Sequence, residues 1–177
     1  MAGAHQPGDA DTRTLLSVYL NDHLAGAVGG TELARRLARG HRGTDFEAEL
    51  QQIAEQIRDD LDSLRQIMNR LGIRPVWYKA PLAMVTERVS RLKLNGQLRG
   101  RSPLSTLIEL EAMQLGVHGK TSGWRTLREL ADTVPGLDPE QLDRLLERAH
   151  DQLDRLERMR VTAAGRALGR MDHQHPG

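Results

Sequence analysis

Apolar side chains recur three and four residues apart along most of this chain, the spacing that turns one face of an α-helix toward a core. Four long helices follow from it. The first should run from about Thr12 to Arg39, with Leu15, Tyr19, Gly26, Gly29, Leu33 and Leu37 on one narrow arc. Gly26, Gly29 and Gly30 cost up to about 1 kcal/mol each inside a helix. Close approach of a neighbouring backbone is the expected compensation. Gly40-His41-Arg42-Gly43 ends this helix.

The second helix opens on Thr44-Asp45-Phe46-Glu47, a capping box in which the Thr44 hydroxyl serves the Glu47 amide and Glu47 reaches back. Its stripe includes Leu50, Ile53, Ile57, Leu61, Leu64 and Met68, and Gly72 supplies the stop. Ser102-Pro103 starts the third, with serine as cap and proline in the first helical position. That helix, reaching about Ala131, is apolar on two sides. Leu104, Ile108 and Leu115 mark one face, and Leu110, Met113, Val117 and Trp124 mark the other. Asp138-Pro139 repeats the start signal for the fourth, whose stripe includes Leu142, Leu145, Ala149, Leu153 and Leu156.

The connections set the topology. The first and third are short and make antiparallel hairpins, whereas the second, residues 73–102, is long enough to travel the length of the molecule. Short, long, short is the connection pattern of a ferritin-like four-helix bundle. The crossover has its own amphipathic segment after Pro81, with Leu82, Val85, Val89 and Leu92, expected to cover the Leu110/Trp124 face of the third helix. The expected organisation is a flexible segment over 1–11, an all-α bundle over 12–168 and a flexible tail over 169–177.

The stretches YLNDHLAGAVGGTELARRLA, VSRLKLNGQLRGRSPLSTLIELEAMQLGVHGK and WRTLREL resemble ferritin-like proteins of unknown function from actinobacteria. The resemblance spans roughly residues 14 to 131. It implies the ferritin-like fold and no particular activity.

Composition removes whole classes of chemistry. With no cysteine there is no disulfide, thiol nucleophile or cysteine-ligated metal. The N-terminus lacks the apolar stretch of a signal peptide, and no run approaches the roughly 18 apolar residues of a membrane span. A cytoplasmic location is the expectation. The net charge of +1 conceals an uneven distribution, because Arg74–Arg101 holds seven basic residues and one acidic. That segment is therefore +6 and the rest −5. Within it Arg88, Arg91, Lys93, Arg99 and Arg101 are the candidate anion-binding residues, toward nucleic acid or an anionic membrane surface.

A carboxylate-bridged di-iron centre needs a glutamate from each of two helices and a Glu-x-x-His from each of the others. One such tetrapeptide occurs, Glu147 to His150, and both residues lie off the inward arc held by Leu142, Ala149 and Leu153. The second helix has no histidine. The di-iron set is incomplete.

Three other polar residues fall on inward arcs. A hairpin turn near residue 42 sets Asp22 level with the region of Asp60. Parallel second and third helices set Asp60 level with His118, each roughly fifteen residues along. Asp22, Asp60 and His118, with Glu111 one heptad from His118, thus compose a candidate polar layer. Paired internally it is structural; opened to a ligand it suits a single transition metal. Arg160 falls level with Glu111, which predicts a buried ion pair. His23 and His41 are expected to face water.

Three function classes follow. The first is a non-catalytic bundle acting through self-association or a protein partner, with no cofactor. The second is a metal-binding or oxidoreductase bundle using Asp22, Asp60 and His118. The third binds nucleic acid or a membrane surface through the basic crossover.

Overall fold

The computed structural model describes residues 9–76 and 103–169. Within them lie four helices: α1 Asp9–Gly40, α2 Glu47–Arg70, α3 Pro103–Leu130 and α4 Pro139–Leu168. No strand occurs among the described residues. The crossover residues 77–102, with Arg88, Arg91, Lys93, Arg99 and Arg101, and the tail from 170 lie outside them.

Local chemistry accounts for most of the boundaries. Asp138 takes an extended conformation and its carboxylate accepts from the Gln141 amide at 3.2 Å, with Pro139 in the first turn. Gly72 closes α2 at φ +66, and the Ile73 amide donates back to the Met68 carbonyl at 2.8 Å. That is a Schellman ending, sealed by burial of Ile73. The start of α2 is wound differently from a capping box. The Thr44 hydroxyl accepts from the Phe46 amide, and Glu47 accepts from Gly43 at 2.7 Å. The helix begins at Glu47, after a turn made by Gly43 at φ +75.

Cross-helix pairs fix the directions. Tyr19 Oη donates to Thr126 Oγ1 at 3.0 Å, and Arg36 lies 4.0 Å from Glu109, so α1 and α3 are antiparallel. Arg166 bonds Asp45, Arg155 bonds Glu49, and Arg70 bonds Gln141, so α2 and α4 are antiparallel too. With the two hairpins, the helices form a ring in which every neighbour is antiparallel. The α1–α2 and α3–α4 pairs pack most extensively, the α1–α3 seam is looser, and the α2–α4 seam is looser still.

The core lies inside this ring. Ile53, Ile67 and Met68 from α2 meet Leu110, Met113 and Leu127 from α3, closed by Leu142 and Leu156 from α4. On α3 the expected roles of the faces are exchanged. Leu110, Met113, Val117 and Trp124 point into the ring, whereas Leu104 and Leu115 are exposed. On α1 the buried arc passes through Leu20, Leu24, Leu33 and Leu37, leaving Leu15 exposed. Its glycines do not receive a neighbouring backbone from the described residues. A side-chain carbon added at Gly26, Gly29 or Gly30 meets no described atom within 4 Å.

Candidate functional site

One carboxylate sits in the middle of the ring. Asp60, on the α2 face that also carries Ile57 and Leu64, is 2 % exposed. Three side chains from the opposite hairpin converge on it. The Lys120 ammonium donates to Oδ2 at 2.5 Å, Arg148 donates to Oδ1, and Gln152 Nε2 donates to Oδ2 at 3.3 Å. Gln152 is itself buried, accepts from Lys120 and donates to Gln56. Such satisfaction is what permits a charged group there, because an unpaired buried charge is strongly disfavoured. Burial pushes the Lys120 ammonium below its usual range, and Asp60 pulls it back upward.

A cleft of about 450 Å³ opens beside this cluster, between α1 and α3. Its floor is apolar: Leu20, Ile57, Leu61, Met113 and Leu127, with Trp124. Five helical glycines line it, Gly26 and Gly30 from α1 and Gly116, Gly119 and Gly123 from α3. The antiparallel register set by Tyr19–Thr126 and Arg36–Glu109 brings Gly26 level with Gly119. The polar lining is Asp22, His23, Asp60 and Lys120.

The polar groups of the cleft are incompletely matched. The Trp124 indole nitrogen is buried with no hydrogen-bond partner among the described residues. Lys120 has three protons, of which Asp60 and Gln152 take two. His23 packs edge-on against Tyr19 at 4.5 Å and lies against Gly123, where an added carbon would be 3.0 Å from its ring. Burial lowers the His23 pKa, with Asp22 opposing.

The expected polar layer is thus built from different residues. Asp60 is at its centre as expected, but Asp22 and His118 are exposed. Among the described residues no group of three or more His, Asp or Glu side chains gathers where a metal could be held. The physical reason is a shift of two positions along α3. Lys120 rather than His118 is level with Asp60, and two residues turn a helix by about 200°. Glu111 does approach Arg160, at 3.9 Å, but Glu111 is exposed and Arg160 only half-buried. The closer partner of Arg160 is Glu157 at 2.7 Å, which with Gln114 lowers the Glu157 pKa to about 2. Glu147 and His150 face water. His23 is half-buried and His41 is buried, contrary to the solvated positions expected for both.

Lys120, Arg148, Gln152 and Trp124 carry the site and none was singled out for it from the sequence. Gln152 was the readable one. It falls on the α4 stripe between Ala149 and Leu156, where an uncharged polar residue needs a buried partner. Searches against family models, curated proteins and solved structures found no match for this chain.

Proposed function

We propose that this chain is a non-catalytic, ferritin-like bundle that works by binding, and that the α1–α3 cleft takes a small, mainly apolar ligand. The observation that carries this reading is the set of five glycines lining the cleft. Each lowers helix stability relative to alanine, and four of them, all but Gly123, have no described atom within 4 Å of an added side-chain carbon. Close packing against the described residues therefore does not account for them. The space they leave open does, and its volume falls within the roughly 300–1,000 Å³ of small-ligand sites.

A catalytic reading has less support. Asp60, Lys120 and Arg148 are paired with one another, and His23, which shares the cleft, packs edge-on against the Tyr19 ring. The test is calorimetric titration of toluene into the protein and into Gly119→Leu. Saturable binding to the first alone supports the reading. Equal behaviour of the two proteins contradicts it.

Association with a second copy or another protein is a separate reading, favoured by exposed Leu15, Val18 and Leu115 on α1 and α3. Sedimentation velocity on Leu15→Glu and Leu115→Glu tests it. A monomeric wild type would remove self-association.

A further inference from the structure

The two long walls of the cleft are α1 and α3, and residues meet across it in antiparallel register. At one end the Tyr19 hydroxyl reaches Thr126 at 3.0 Å. One turn further along, the His23 imidazole reaches α3 at Gly123. A side-chain carbon on Gly123 would stand 3.0 Å from both Cε1 and Nδ1 of that ring. At the next levels, Gly26 with Gly119 and Gly30 with Gly116, no described atom stands within 4 Å of such a carbon. Gly123 is therefore a seat for the imidazole, whereas the other four glycines border open space. His23 bounds that space at the Tyr19 end.

This boundary can take a proton. The ring is half-buried, packs edge-on against Tyr19, and makes no hydrogen bond to the described residues. The charged residues sharing the cleft with it are Asp22 on α1, Asp60 on α2 and Lys120 on α3, and no α4 residue lines it. Asp60 and Lys120 are paired with each other at 2.5 Å. Asp22 favours the charged ring, and burial outweighs it. A neutral imidazole tolerates an apolar neighbour. An imidazolium does not, because an occupant that displaces water from the cleft leaves the cation poorly solvated.

We propose that His23 makes occupancy of the cleft pH-dependent: seated against Gly123, the neutral ring completes the wall around an apolar ligand, and its protonation weakens binding. This inference rests on the cleft being the binding site, and the test separates the two.

The probe is toluene. Its affinity, measured by calorimetry, should fall about threefold or more between pH 7.5 and pH 5. His23→Gln keeps a polar side chain without the charge and should flatten that dependence. Binding and protonation are linked reciprocally, so a ligand that prefers the neutral ring must also make the ring harder to protonate. The imidazole C–H signals of the unaltered protein read this directly, with His23 identified by its contact with the Tyr19 ring. His23 should titrate at lower pH with saturating toluene than without. Gly123→Ala fills the seat, so there His23 should titrate nearer its ordinary 6.5.

Equal toluene affinity at the two pH values would overturn the linkage while the cleft remained a binding site. A His23 titration unmoved by toluene would overturn it as well. A pH dependence that persists in His23→Gln would assign it to another group, with the same result. Absence of toluene binding at either pH would remove the cleft reading itself, and this inference with it.

Discussion

Lys120 on α3 reaches across the ring to Asp60 on α2, 2.5 Å from nitrogen to oxygen, joining two diagonal helices through the core. Arg148 bonds the other carboxylate oxygen from α4. Three of the four helices are thus tied to a single buried carboxylate. Its removal leaves two cations without compensation in a poorly solvated place.

Asp60→Asn should therefore cost about 3–5 kcal/mol, the range for breaking a buried pair from one side. Urea denaturation measures it. Adding Lys120→Met should recover part of that loss, and the double-mutant cycle should show strong coupling. Additive effects would mean that the pair is not formed in solution.

Gly26→Ala and Gly116→Ala should each stabilise the fold, by about 0.5–1 kcal/mol, because the backbone is helical and no described atom opposes the new carbon. Thermal denaturation checks both. Gly123→Ala should gain less, since its carbon would lie 3.0 Å from the His23 ring. Destabilisation by the first two would point to a close packing role for those glycines.

The helices were legible because their information is local. Pro103, Asp138-Pro139 and Gly72 mark boundaries through chemistry confined to one turn, and the α2 and α4 stripes follow from spacing alone. The site was less legible because it depends on rotation and register between helices. Asp60 could be placed inward from Ile57 and Leu64 beside it. Its partner on α3 could not, since a two-residue shift exchanges exposed His118 for Lys120. A long, flexible lysine among Gly116, Gly119 and Gly123 also gives no periodic signal that it turns inward. The same ambiguity exchanged the two apolar faces of α3, which differ little in composition.

Asn21 shows another contribution that periodicity misses. It is 3 % exposed on α1, and its side chain holds the segment that follows α2. Its oxygen accepts from the Val76 amide at 2.6 Å, and its nitrogen donates to the carbonyls of Ser17 and Arg74 at 2.9 and 3.3 Å. Asn21→Ala should cost about 1–3 kcal/mol through unsatisfied backbone groups. Hydrogen exchange at Val76 should accelerate with it. Unchanged exchange would show that the segment is held by other contacts.

The depressed pKa of His23 sets a direction for acid sensitivity. Its folded value lies below the unfolded value of 6.5, chiefly through burial. As pH falls through 6.5 the unfolded chain takes a proton that the native His23 refuses, so stability declines. Glu157, lowered from 4.5 to about 2, adds a second loss confined to pH below 4.5. Denaturation midpoints between pH 7.5 and 5.5 should therefore fall, and His23→Gln should flatten that decline. An identical slope in the variant would assign the loss elsewhere.

The central claim is that the α1–α3 cleft is a ligand site. Its most direct measurement is a heteronuclear NMR titration of the whole protein with toluene, repeated on Gly119→Leu. Saturable shifts at the amides of Gly26, Gly116 and Gly119 are expected in the wild type, with loss of binding in the variant. Shifts that never saturate, or that persist in Gly119→Leu, would contradict it.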